Sequence, residues 1–143
     1  MVRRLAPTDF ERWRSLWIAY QRFYREQLDE AVTKSTFDRL CAGSGPLVGL
    51  VADDAKGRLL GIVQLVFHPS TWSTAACCYV EDLFVIREAR GTGVARELLE
   101  AAFAEADLRG AGRIYWETQE YNSAARSLYD QFGHPTSFVV YER

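Results

Sequence analysis

A chain of 143 residues, 48% apolar and 25% charged, has room for one domain with a substantial core and too little for two ordinary ones. Its net charge of −2 excludes the clustered basic surface on which nucleic-acid binding depends, and no apolar run approaches the roughly 20 residues a membrane span needs. Arg3, Arg4 and Asp9 interrupt any N-terminal apolar stretch, and three cysteines, two of them the neighbours Cys77 and Cys78, have neither zinc-ligand spacing nor a disulfide framework, so a cytoplasmic protein with reduced thiols is expected.

Val2 to Leu5 predicts a short strand ended by Pro7, after which Thr8 with Glu11 three residues later reads as a capping box that opens a helix. Phe10, Trp13, Trp17, Tyr20 and Tyr24 recur every three or four residues, so this helix, running to about Gln27, has one aromatic face. Thr33 is placed to cap a second short helix carrying Phe37, Leu40 and Cys41. Leu47 to Ala52 and Arg58 to Phe67 are β-rich runs joined by a polar turn ending in Gly57, which predicts an antiparallel hairpin. Ala75 to Ile86 completes the meander.

A turn rich in Arg and Gly follows, then a helix from about Thr92 to Arg109 with Ala95, Leu98, Leu99, Ala102, Phe103 and Ala106 on one face. Arg113 to Glu117 reads as a strand. Asn122 is a good N-cap for a last helix that carries Ala125, Leu128, Tyr129 and Phe132 and closes at Gly133, and Ser137 to Glu142 supplies a final strand. The expected architecture is a single α/β (α+β) domain over residues 1–143: a mixed, mostly antiparallel sheet of six to seven strands with helices on both faces.

Where the Ala75 to Ile86 strand gives way to helix, the first turn's N–H groups have no intrahelical partners and point outward with the positive end of the helix dipole. Gly91 and Gly93 carry no Cβ, so a phosphate can approach the backbone of Arg90, Gly91, Thr92, Gly93, Val94 and Ala95. A dinucleotide-binding fingerprint needs a third glycine where Arg96 stands, and no Gly-Lys-Ser/Thr is present for a P-loop. Arg90, Gly93 and Ala95 instead match the Q/R-x-x-G-x-G/A signature. With the strand Glu81 to Val85 (EDLFV) and the run Tyr115 to Gly133 (YWETQEYNSAARSLYDQFG), the chain resembles the GNAT superfamily of acetyl-CoA-dependent N-acetyltransferases. From Tyr115 to Arg143 it is most similar to the yeast histone and polyamine acetyltransferase subgroup and its bacterial relatives.

The resemblance implies acetyl-CoA as acetyl donor, no metal, and a direct attack by a primary amine in a ternary complex. Backbone groups of Leu83, Phe84 and Val85 would bind the pantetheine arm, with Asn122 hydrogen-bonding it and an N–H near Leu83 facing the oxyanion. A free alkyl amine, with pKa about 10.4, needs about 4 to 5 kcal/mol to lose its proton at pH 7, so a positioned base is useful. Glu81 matches the family residue thought to take that proton through water, with Asp82 the alternative. Adjacent strand residues face opposite ways, so only a bulge would bring both to one cleft. Tyr129 matches the proton donor to the departing thiolate. Tyr20 and Tyr24 lie where superfamily members contact the acceptor. Glu81, Asp82, Glu117 and Glu120 favour a cationic one: a small amine, a polyamine or an amino acid. One strand remains after the last helix where the superfamily usually has two, which fits its habit of dimerising so that a partner strand completes the sheet. The alternative function is a non-catalytic acyl-CoA-binding sensor or interaction module, which needs neither Glu81 nor Tyr129.

Overall fold

The computed structural model describes residues 1–143. Its five strands, β1 (Val2–Arg4), β2 (Leu47–Asp53), β3 (Leu59–His68), β4 (Cys77–Val85) and β5 (Arg113–Trp116), lie in that order in one sheet. The first four are antiparallel and β5 runs parallel to β4. Helices α1 (Phe10–Phe23) and α2 (Glu30–Cys41) follow β1, α3 (Val94–Leu108) crosses between β4 and β5, and α4 (Ser123–Tyr129) follows β5.

Alternation along the strands sorts the core into two layers. Leu50, Ala52, Val63, Leu65, Cys78 and Val80 meet Val94, Leu98, Ala102 and Ala106 of α3 on one face. On the other, Val51, Leu59, Ile62 and Phe84 meet Trp13, Leu16 and Trp17 of α1 and Phe37 and Leu40 of α2. Fully burying each large side chain contributes roughly 1.5–3 kcal/mol, so the aromatic stripe of α1 is a main source of stability.

Local chemistry moves several helix ends from where the sequence predicts them. Pro7–Asp9 forms a single 3-10 turn, and Asp9, rather than Thr8 with Glu11, closes the entry to α1 by accepting the Ala6 N–H at 2.8 Å. The same buried carboxylate pairs with Arg3 at 2.7 Å and Arg12 at 2.6 Å, which a threonine hydroxyl cannot do. α1 stops at Phe23, and Gln21 fastens the turn beyond it: its backbone carbonyl accepts Glu26 N–H and its side-chain Oε1 accepts Leu28 N–H, both at 2.8 Å. α2 begins after Asp29, leaving Thr33 buried inside the helix instead of at its cap.

The sheet has five strands, not six or seven. Ser137 to Glu142 forms none, and the outer edge of β5 stays unpaired. Phe138, Val139, Val140 and Tyr141 are 87%, 73%, 75% and 92% exposed, a patch that a folded chain seldom leaves to water.

Candidate active site

The register between β3 and β4 breaks at one point: Gln64 lies opposite Asp82 and Leu65 opposite Val80, so Glu81 is an extra residue on β4. That bulge resets the alternation. Cys78 and Val80 face α3 before it and Phe84 faces α1 after it. Glu81 and Asp82, which an unbroken pleat would send to opposite sides, therefore line the same cavity. Its volume is about 480 Å³, and its walls include Tyr20 of α1, Tyr24 just beyond that helix, Tyr79 of β4, and Glu117 and Gln119 beyond β5.

Beside the bulge the sheet opens. β4 pairs with β5 only from Cys77 to Val80, opposite Arg113 to Trp116, so the rest of β4 has β3 on one side and no strand on the other. Ile86 N–H donates back to Leu60 O at 2.9 Å. Backbone groups alternate along a strand, so those of Phe84 turn to β3 and those of Leu83 and Val85 turn to the open side.

The gap leads to the Gly turn. Gly91 and Gly93 adopt φ of 75° and 95°, left-handed conformations that side chains disfavour, and a Cβ added at either would meet nothing within 4 Å. The N–H groups from Gly91 through Arg96 find no acceptor within the protein, so six consecutive donors face outward at the start of α3. Thr92 Oγ1 donates to Ala89 O at 2.6 Å, and Arg90 Nε donates to Val85 O at 3.1 Å while its guanidinium lies 5.8 Å from the Phe84 ring. Arg90 thus braces the turn against β4. The arrangement suits a pyrophosphate held by backbone dipoles.

Asp82 is tied into the core. Trp13 Nε1 donates to Gln64 Oε1 at 2.8 Å and Gln64 Nε2 donates to Asp82 Oδ2 at 2.7 Å. Burial pushes the Asp82 carboxyl up to about 6, against the Gln64 hydrogen bond that favours its ionised form; the Glu81 charge adds to the rise. Burial, then the Asp82 charge, raises the Tyr20 phenol far above its ordinary value. Tyr79 is pushed up to about 12 by burial and then by the Glu117 and Glu81 charges.

Of the residues singled out in the sequence, Tyr20, Tyr24, Glu81 and Asp82 share this cavity and Glu117 joins them, whereas Glu120 does not line it. Tyr20 does two jobs, packing edge-on to Phe84 at 5.7 Å and to Tyr24 at 5.1 Å. Tyr129 sits on α4, edge-on to Trp116 at 5.7 Å, with its phenol raised by burial and by Tyr24. Asn122 caps α4 by accepting the Ala125 N–H at 3.3 Å. Sequence reasoning missed Tyr79, Gln119 and the Trp13–Gln64 pair. Gln64 left a signal, being the one polar residue in the β3 run LLGIVQLVF.

Comparison with known proteins agrees with this geometry. The model of the acetyltransferase (GNAT) family matches residues 10–134. The chain is 33% identical over 144 residues to the D-amino-acid N-acetyltransferase HPA3 of Saccharomyces cerevisiae, spanning 100% of this chain and 89% of that one. It is 32% identical over 146 residues to the uncharacterized N-acetyltransferase YhfO of Bacillus subtilis, spanning 98% and 94%. Among solved structures, a probable acetyltransferase superposes with TM-score 0.86 at 24% identity, covering 100% of this chain and 96% of its own. The structure of AAC(6')-Iy with the bisubstrate analogue CoA-S-monomethyl-acetylneamine gives TM-score 0.86 at 18% identity with the same coverage. These two likenesses establish the fold.

Proposed function

The chain belongs to the GNAT family of acetyltransferases, and on that premise we propose that it moves the acetyl group of acetyl-CoA to the primary amine of a small cationic acceptor, a polyamine or an amino acid, with both substrates bound together. The observation that carries this reading is the bulge at Glu81, which turns two carboxylates into one cavity at the point where β4 loses its second neighbour.

Acetyl-CoA supplies the activated thioester. Its pyrophosphate meets the six free N–H groups that begin with Gly91, its arm adds to the open edge at Leu83 and Val85 as a peptide adds to a sheet, and Asn122 flanks it from the start of α4. The acceptor ammonium enters among Glu81, Asp82 and Glu117, and the Tyr20 and Tyr24 rings contribute cation–π attraction. Glu81 takes the amine proton through water, because the exposed bulge keeps its carboxylate in reach of solvent. Tyr129, a phenol protonated at neutral pH, returns a proton to the thiolate. A thiol of pKa about 8.5 makes that demand small.

No cationic side chain lines the cavity, which supports an acceptor with positive charge over one that is mainly anionic. The likeness to HPA3, named for D-amino acids, keeps amino acids in the class. β5 has a neighbour on one side only and Phe138 to Tyr141 are unpaired, and these features support a homodimer in which the C-terminal segment of one copy adds to the sheet of the other.

The test is release of free CoA thiol from acetyl-CoA across polyamines, lysine, amino acids of both hands and aminoglycosides. We expect turnover with one class, lowered about 100-fold in Glu81→Gln and about tenfold in Tyr129→Phe, with acetyl-CoA binding retained in both. Tight acetyl-CoA binding with no thiol release from any amine would favour a sensor instead.

A further inference from the structure

Gln64 occupies the centre of β3 and is 3% exposed. A buried side-chain amide is costly unless both of its ends are satisfied. An indole N–H can only donate, so the Trp13 contact fixes Gln64 Oε1 toward α1 and removes the usual ambiguity of an amide's two ends. The NH₂ group must then face β4, where it meets Asp82 Oδ2. Gln64 and Asp82 are also register partners at the edge of the bulge, so the same pair that fixes the carboxylate marks where the strand is reset.

We propose that Trp13 and Gln64 are positioning residues that hold Asp82 as an oriented anion at the cavity wall, one oxygen tied to Gln64 and the other presented to the protonated amine. This rests on the reading of the cavity as the acceptor site. The titratable groups that line the cavity with Asp82 are Tyr20 of α1, Tyr24 and Glu26 just beyond it, Tyr79 and Glu81 of β4 and Glu117 beyond β5. None is a cation. Gln64 is accordingly the main influence opposing burial, and the Tyr20 hydroxyl assists it to a smaller degree. A core tryptophan of α1, distant from the cavity carboxylates by sequence, thereby orients the amide that holds Asp82.

The deciding measurement is a pH titration of the Asp82 carboxyl carbon by NMR in ¹³C-aspartate-labelled protein, the resonance being identified by its loss in Asp82→Asn. Gln64→Leu removes the donor and should raise the midpoint by about one pH unit; Gln64→Glu keeps the Trp13 contact but sets two carboxyls against each other and should raise it further. Trp13→Phe frees the amide to turn over and should give a smaller rise in the same direction. In parallel, Gln64→Leu should lower kcat/KM for the amine about tenfold near pH 6.5 and recover to within about threefold near pH 8.5, with the KM for acetyl-CoA unchanged. An Asp82 midpoint that stays in place in both Gln64 variants overturns the proposal, as does a loss of activity that is uniform across pH. If the wild-type protein acetylates no amine, the acceptor-site reading fails by itself, and the titration still decides whether Gln64 governs Asp82.

Discussion

Asp9 is buried and Asp82 is half-buried in a cavity wall, and their surroundings are opposite. Asp9 receives the Ala6 N–H and two guanidinium groups, from Arg3 and Arg12, and these, the Arg3 hydrogen bond foremost, hold its carboxyl below the ordinary range. Asp82 receives a neutral amide and sits beside a second carboxylate, so burial prevails and drives it the other way. The first ties β1 to α1 and stabilises the fold; the second is a standing cost at neutral pH that packing alone would not require. A half-buried carboxylate without a cation, in the wall of a cavity, is the mark of a site.

Exchanging each for its neutral isostere sharpens the contrast. Asp9→Asn should remove roughly 2–3 kcal/mol from unfolding stability, measured in denaturant, because two guanidinium groups lose their partner; the pH profile of turnover should not change. Asp82→Asn should do the reverse, raising stability at pH 8 by on the order of 1–2 kcal/mol while kcat/KM for the amine falls roughly 30-fold. A destabilised Asp82→Asn protein would place Asp82 with Asp9 as structural.

The same pair predicts slopes of opposite sign in stability against pH. The Asp82 carboxyl, raised from about 3.9 in the unfolded chain to about 6, binds more protons folded than unfolded in that window. Its penalty is therefore full above pH 6 and fades as pH falls toward 4. Asp9 is lowered, so its contribution is present above the unfolded value and is lost as pH falls below about 4. Denaturant midpoints from pH 3 to 8 in the two Asn variants separate these slopes. The smallest effect expected is from Arg12→Gln, about 0.5 kcal/mol, since Arg12 is half-exposed and Asp9 keeps Arg3 and the Ala6 N–H.

Much of this was legible in the sequence where one residue type has one physical use. The aromatic spacing of α1, the Gly turn after β4 and Asn122 at the start of α4 each stand where expected, because helical periodicity, positive φ and N-capping are local properties. What depends on partners far along the chain was not. Asp9 takes the entry to α1 from Thr8 through the nearby Ala6 N–H, and the Arg3 that joins it there is itself held by Asp53, fifty residues on. The bulge at Glu81 exists in the register of two strands, and EDLFV carries no sign of it. Likewise, Ser137 to Glu142 has the composition of a strand, but composition alone does not bring a segment to the edge that β5 leaves open.

The parting of β4 from β5 after Val80 has a consequence for motion. The first half of β4 is locked between two neighbours and the second half is held by one, so the strand spans two levels of local stability within nine residues. Amide exchange should be slow at Cys78 and Val80 and faster at Leu83 and Val85. A donor that settles along the open side would slow only the second pair, so that occupancy is read as protection of half a strand. In that half, order would arrive with the bound donor, while the first half of β4 is held by strand neighbours on both sides.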